Sequence, residues 1–486
     1  MAQKTPLFNT PIPSKIMTPD RVTTRLGVLE SFDGMPTDDT AALLLEHLTF
    51  LRGVEVFLNT IPAASLEAMR CGLAELGVNA ANQVAIFDDL MDSNSLFLTG
   101  NTDTVYALSI LDLGRDGPTV VEIPAGCGPG TVDDAWFRFV VDMGAPGPDR
   151  GQGGKYLLLP PGYDGEVPDG YFTAESPSYV NLIALRGFIV DGSTEPAARM
   201  FRDGVKIYPL DLRDDPPPME FVNGSGQTVN TIHANNIEFY DELARVIDHE
   251  PVEIIDPETR GLIASIGIQK GKSFQPDEQL RATLADAAAV GNATARSIFF
   301  QTTNPEEFLY EGSSWKRGFI GGNFEFLLDG TGGERNLDAR TAVFYMATLN
   351  TPAMVAKMIG RGSQYAWGDR DHAGSYLDGA KTYRLHLPPD APAKDFWSVV
   401  VYDPQTRSEL QTGQPLPSKN NAQGSLTVNP DRSVDLYFGP HAPAGFETNW
   451  IQTVPGKGWF CLLRLYGPLE SWFDKTWRPG EIELSE

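Results

Sequence analysis

The sequence predicts a multi-domain α+β fold: two antiparallel β-sandwich (jelly-roll-like) domains with helical N-terminal and central segments. Three observations carry this expectation. Short apolar runs alternate with Gly, Pro and Asp turns over residues 84–210 and again from 362 to the end, the spacing of antiparallel sandwiches. Apolar residues recur at intervals of three and four over 38–76 and within 219–360, the period of an amphipathic helix. At 486 residues the chain has room for several cores, and its apolar fraction of 41% is that of a globular protein.

Residues 1–83 read as an arm followed by helices. The first twenty are rich in Pro and Thr and predict an extended arm. From Asp38 the pattern turns helical, with Leu43, Leu44, Leu48, Leu51 and Val54 at helical spacing. Pro62 is expected to break this helix, because proline lacks the N–H that the ladder needs, and a second helix is expected from Ala63 to Leu76. Residues 84–215 form the first β domain, with "TVYALSILDL", "WFRFVVDMG" and "YVNLIALRGFIV" among its strands. "GQGGKYLLLPPGYDG" (151–165) opens like a phosphate-gripping loop. However, Tyr156 follows Lys155 where such a loop needs Ser or Thr. Three leucines closed by Pro-Pro-Gly read as a buried strand entering a turn, so no nucleotide cofactor is expected. Residues 216–361 open with a "DDPPP" linker (214–218) and continue as a helical segment. Residues 362–486 form the second β domain, through "KTYRLHLP", "FWSVVVYD", "SVDLYFGP" and "GWFCLLRLYGP".

The formal charge of -26 argues against nucleic-acid and anionic-membrane partners, both of which require a basic footprint. No run of about twenty apolar residues is present to span a membrane. Cys71, Cys127 and Cys461 are too few and too dispersed for a disulfide framework or a metal knuckle. The six histidines form no HxH or HExxH, and no GxSxG elbow occurs, so neither a metal site nor a serine nucleophile is expected. "MAQKTPLFNTPIPSK" has no apolar core of a signal peptide. The compartment stays open between cytoplasm and periplasm with a leader removed.

"GNTDTVYALSILDL" (100–113), "GGKYLLLPPGY" (153–163) and "VKIYPL" (205–210) resemble the bacterial family known as domain of unknown function 1254. "RGSQYAWGDRDHAGSYLDGAKTYRLHLP" (361–388), "TNWIQT" (448–453) and "RLYGP" (464–468) resemble its usual partner, domain of unknown function 1214. The resemblance implies paired β-sandwich domains and assigns no reaction. Many members of the family look exported.

The densest polar cluster is "NTDT", with Asn101, Asp103, Thr104 and Tyr106. Asp103 is either a turn cap, as Asn and Asp commonly are, or a general base facing a cleft. In "WFRFVVDMG", strand periodicity puts Trp136, Arg138 and Asp142 on one face and Phe137, Phe139 and Val141 on the other. The first set is either a ligand wall or an exposed Arg–Asp pair. Lys155 either holds an anionic group or protects a strand edge. In the second β domain Asn449, Trp450, Arg464 and Tyr466 either bind a polar organic ligand or seal a domain interface. Two functions remain. One is an enzyme acting on a small organic molecule, most plausibly a hydrolase with Asp103 and Asp142 as acid/base carboxylates. The other is a non-catalytic β-sandwich protein that binds or builds. A homo-oligomer is expected in either case.

Overall fold

The computed structural model describes residues 10–319, 322–328, 332–422 and 426–485; the first nine residues of the expected arm lie outside them. The described chain opens with a small antiparallel sheet of β1 (Arg21–Thr24), β2 (Gly27–Phe32) and β3 (Met35–Pro36). Next comes α1 (Asp38–Glu75), capped at Thr37, whose hydroxyl accepts from the Thr40 N–H. The expectation that Pro62 ends this helix is corrected: α1 runs unbroken through it. The proline removes one ladder hydrogen bond, and packing offsets the loss, because nearly every residue from Val56 to Leu73 is buried.

The first β domain follows, in chain order: β4 (Gln83–Ile86), β5 (Ser95–Leu96), β6 (Thr104–Asp112), α2 (Leu113–Asp116), β7 (Thr119–Ile123), β8 (Gly130–Asp134), β9 (Phe139–Met143), β10 (Gly154–Leu159), β11 (Phe172–Glu175), β12 (Val180–Phe188), α3 (Glu195–Gly204) and β13 (Lys206–Pro209). The segment expected to be helical begins with two strands, β14 (Glu220–Asn223) and β15 (Val229–Asn230), which pair with β4 and β5. It continues as α4 (Glu238–His249), α5 (Pro257–Ala264), α6 (Glu278–Phe300), β16 (Lys316–Arg317), α7 (Leu337–Met346) and α8 (Pro352–Val355). The second β domain contains β17 (Ser363–Gly368), β18 (Tyr383–Leu387), β19 (Ala393–Tyr402), β20 (Ser418–Asn420), β21 (Val434–Gly439), β22 (Trp450–Gln452), β23 (Phe460–Pro468), α9 (Glu470–Phe473) and β24 (Ile482–Leu484).

Each β domain has two main sheets. Their orders are β14-β4-β6-β12-β8-β9 and β11-β10-β7-β13 in the first, and β16-β17-β23-β19-β20 and β22-β21-β18-β24 in the second. Pairing is mainly antiparallel. The edge pairs β10–β11, β14–β4 and β21–β22 are parallel, so three of the four main sheets are mixed rather than purely antiparallel as expected, and β16-β17-β23-β19-β20 is antiparallel throughout.

The central strands are mainly apolar because both of their faces are covered. On β6, Val105 and Ala107 join the core shared with β7, β10 and β13, whereas Tyr106, Leu108 and Ile110 face α1 and its neighbours. On β23, Cys461, Leu463 and Leu465 enter the core of the second domain, and Phe460 and Leu462 join the helices. The helices α1, α4, α6 and α7 therefore form a layer against which both β domains pack. No helix among the described residues is long and apolar enough to cross a membrane.

Candidate functional site at the domain junction

The turn before β6 is built by Asn101. Its side-chain oxygen accepts from the N–H groups of Asp103 (2.6 Å) and Thr104 (3.2 Å), and its amide donates to the Tyr466 hydroxyl at 2.6 Å. This local Asx turn drives Asp103 into the second domain. There one Asp103 oxygen accepts from Ser398 Oγ (2.5 Å) and, at 3.5 Å, from Tyr466; the other accepts from Asn420 Nδ2 at 3.0 Å. Asp103 is 2% exposed. Burial raises its pKa, and Ser398, Arg464, Asn420 and Tyr466 partly restrain that rise.

Arg464 lies in the same cluster. It donates to the carbonyls of Thr99 (2.6 Å) and Gly100 (3.0 Å) and to the Tyr402 hydroxyl (2.7 Å), which in turn donates to Gly100 O. Its Nε is buried without an acceptor. Glu409 lies alongside, with both carboxyl oxygens buried and unpartnered. Burial raises its pKa well above the usual carboxylate range, against the pull of Arg464. A Cβ at Gly100 would meet this carboxyl at 3.1 Å, a tight contact.

Arg186, on β12 opposite Tyr106 of β6, completes the group. Arg186, Arg464, Tyr106 and Tyr365 line one cavity of about 50 Å³ with Thr99 and apolar side chains including Leu349 and Met354. A neighbouring cleft of about 150 Å³ shares Gly318, Phe319, Met354 and Tyr365 and extends to Trp472 and Phe473. Burial opposes the charge on Arg186, and the tyrosines Tyr106, Tyr365 and Tyr466 more than offset it. Behind Arg186, Asp142 accepts from Thr351 Oγ1 at 2.6 Å. Burial raises its pKa to about 6, against Thr351, Arg186 and Thr131.

Of the residues singled out from sequence, Asp103, Tyr106, Arg464 and Tyr466 meet at this junction, and Asp142 is tied to it through Arg186. The others lie elsewhere. Trp136 and Arg138 do not share a strand face with Asp142, because the stretch 135–138 is a turn. Asp134 Oδ1 accepts from the N–H groups of Trp136 (2.7 Å) and Arg138 (2.9 Å), and Phe137 takes a φ of 51°. The turn ends strand alternation there, and Arg138 pairs with Asp134 at 2.5 Å. Phe137 is fully buried, whereas Phe139 and Val141, grouped with it by strand periodicity, are half-buried. Lys155 forms a cross-strand ion pair with Glu122 at 3.0 Å and is half exposed. Asn449 spends its amide on the backbone of Thr427 and Asp435, and Trp450 donates to Gly439 O. Sequence reasoning missed Arg186, Tyr365, Ser398, Glu409 and Asn420. For Arg186 a signal existed: a lone arginine in the apolar run "NLIALRGF".

The fold and this junction define a multi-domain α+β protein whose two β domains close over a buried Arg–Tyr–carboxylate cluster. The chain carries a paired set of family domains: residues 81–209 match the family described as protein of unknown function (DUF1254), and residues 362–470 match protein of unknown function (DUF1214). The junction residues come from both. No curated protein matches the chain. Among solved structures it is similar to the VPA0106 protein from Vibrio parahaemolyticus, at 18% identity and a TM-score of 0.54, over 91% of this chain and 100% of that one. It is also similar to a putative uncharacterized protein from Burkholderia cenocepacia, at 12% identity and a TM-score of 0.41, over 91% of this chain and 95% of that one. The first likeness extends the same fold across both β domains and the helical layer.

Proposed function

We propose that this protein is an enzyme that hydrolyses a small organic anion bound at the junction of its two β domains. The reading rests on one observation: Arg186 and Arg464, both buried, line the same cavity, and neither forms an ion pair with a carboxylate among the described residues. Asp142 acts on Arg186, and Asp103 on Arg464, without direct contact; a buried cation with no carboxylate in contact is costly, and an anionic ligand supplies that contact. The 50 Å³ cavity suits the charged end of such a ligand, and the adjoining cleft suits its body. Arg186, Arg464, Tyr106 and Tyr365 line the same cavity, a set of donors suited to a developing oxyanion. Asp142, with a pKa of about 6, is the carboxylate suited to acid/base work near neutral pH. Asp103, with both oxygens engaged, is a positioning residue that holds Tyr466 and the two domains in register.

A screen over anionic esters, amides, phosphates and sulfates tests this reading. Turnover of one class is expected, lost in Arg186→Met with the melting temperature held. No turnover in any class, together with no saturable binding of small carboxylates, would overturn it.

A homo-oligomer is the second part of the proposal, and a separate observation supports it. Ile12, Ile16, Met17, Val22, Val28, Phe32 and Met35 are all exposed, as are Leu43, Leu44, Leu45, Leu48 and Leu51 on α1. The helical stripe read from sequence thus faces outward rather than into this chain's core. These exposed side chains come from the N-terminal segment with its sheet and from the first turns of α1, which β2 touches, and they outnumber the singly scattered apolar residues usual on a monomer; a stable interface buries roughly 800 Å² per partner. A second copy is the expected occupant, since most soluble oligomers are symmetric homo-oligomers. Light scattering should report a dimer or larger, and Phe32→Glu with Leu45→Glu should yield monomer. A native chain that stays monomeric at tens of micromolar refutes this part.

A further inference from the structure

A second cavity, of about 610 Å³, lies between α1, the β8–β9 turn, α5 and α7. The segment 343–351 separates it from the junction. Phe344 and Asn350 line this cleft, whereas Val343, Thr348 and Leu349 line the junction cavity. Its walls are aromatic. Phe139 meets Phe324 edge-on at 5.6 Å, Phe326 meets Phe344 at 5.5 Å, and Phe344 stacks on Phe137 at 5.7 Å.

Three arginines, Arg138, Arg335 and Arg340, reach the same lining. Arg138 is paired with Asp134 and donates Nη1 to Ile254 O, but its Nη2 is buried without an acceptor. Arg340 gives Nη2 to Asn59 Oδ1 at 2.6 Å, and its Nε is likewise buried without an acceptor. Neither Arg335 nor Arg340 has an ion-pair partner among the described residues. Burial, with the like charge of Arg335 beside it, lowers the Arg340 pKa to about 10. Glu55 acts on Arg340 across the lining, but no carboxylate among the described residues is in ion-pair contact with either cation, and the buried N–H groups of Arg138 and Arg340 are left for an anion to engage.

Four carboxylates also reach the lining: Glu55, Asp256, Glu258 and Glu325. Glu55 accepts from Asn59, and Asp256 caps α5 through the Thr259 N–H and hydroxyl. Glu258 and Glu325 line the cleft as well, which disfavours a polyanion such as a nucleotide.

We infer that this cleft is a second small-molecule site, for an apolar organic monoanion whose charged end sits at Arg335 and Arg340 and whose body lies on the phenylalanine walls. Aromatic and apolar walls with few convergent polar groups are the usual make-up of such sites, and guanidinium groups hold carboxylates and sulfonates through paired N–H donors. The inference is independent of the junction chemistry.

The experiment is calorimetry on the full chain with 2-naphthalenesulfonate and decanoate, beside their neutral counterparts 2-naphthol and decanol, and with ATP. The anions are expected to saturate one site and bind at least about tenfold more tightly than the neutral counterparts, as a charge-assisted contact implies. Arg335→Met with Arg340→Met should erase that preference, and Phe324→Ala should weaken both anions and neutrals. Arg186→Met, at the junction, should leave it intact. Because Arg340 is partly buried, Arg335→Met alone, on an exposed residue, keeps the test open if the double variant does not fold, and should weaken the anions several-fold. Equal binding of anions and neutrals, tighter binding of ATP, no saturation by either anion, or loss of the preference in Arg186→Met would each overturn the inference.

Discussion

Asp103→Ala removes the acceptor of two buried donors, Ser398 Oγ at 2.5 Å and Asn420 Nδ2 at 3.0 Å, that join β6 to the second β domain. A buried donor deprived of its acceptor costs about 1–3 kcal/mol, so the two together put the loss at about 2–6 kcal/mol. Asp103→Asn is a different perturbation. It keeps one carbonyl oxygen, and its NH₂ can donate to the Ser398 hydroxyl once that rotor turns. It also removes a buried charge. The Asp103 pKa is raised mainly by burial, so the folded chain takes up that proton more readily than the unfolded one. The stability this group contributes is full below the unfolded pKa of about 4 and is lost as pH rises through the folded value. The Asn variant should therefore gain on the native protein between about pH 4 and neutrality, while the Ala variant stays weak throughout. Urea unfolding followed by tryptophan fluorescence at pH 4.5 and 7.5 measures both. If Ala costs under about 1 kcal/mol, or Asn proves as damaging as Ala, the hydrogen bonds at Asp103 do not hold the junction. Substrate turnover in the well-folded Asn variant then separates positioning from a purely structural role.

Asp142 titrates at about 6 when folded, so the stability it contributes is present below about pH 4 and fades up to about pH 6. Asp142→Asn should be more stable than the native chain above that range, by at most about 2–3 kcal/mol, and should abolish any limb near pH 6 in the activity profile. Gly72 on α1 lies where a Cβ would come within 2.3 Å of the Asn230 carbonyl; Gly72→Ala should cost about 1–3 kcal/mol in urea unfolding by forcing α1 from β15. Lys316 pairs with Asp369 at 2.8 Å, and both are buried; Lys316→Met should cost about 3–5 kcal/mol by leaving that carboxylate unpaired, read from the same unfolding curves.

The local patterns sufficed for much of the architecture. Short apolar runs bounded by turn residues mark β6, β10, β19 and β23, and helical periods mark α4 and α6, because the pattern of each element is written within a few residues. The paired family signatures were legible for the same reason, as contiguous motifs. The outward-facing leucines of α1 carry a helical period but no indication of what covers them. Pro62 misled because burial around a long helix is a tertiary quantity and outweighs one lost hydrogen bond. The Trp136–Arg138 stretch misled because a single side chain, Asp134, turns the backbone and cancels strand alternation.

The sequence by itself determined the strand and helix segments, the family pairing, the acidic balance and the prominence of Asp103, Arg464 and Tyr466. Only the tertiary structure decided that these three meet, and that Arg186, Ser398, Glu409 and Asn420 join them. Ser398 lies 295 positions from Asp103 and Asn420 lies 317 away. No local period links positions so far apart in the chain; sheet order and domain packing alone bring their side chains within hydrogen-bond reach.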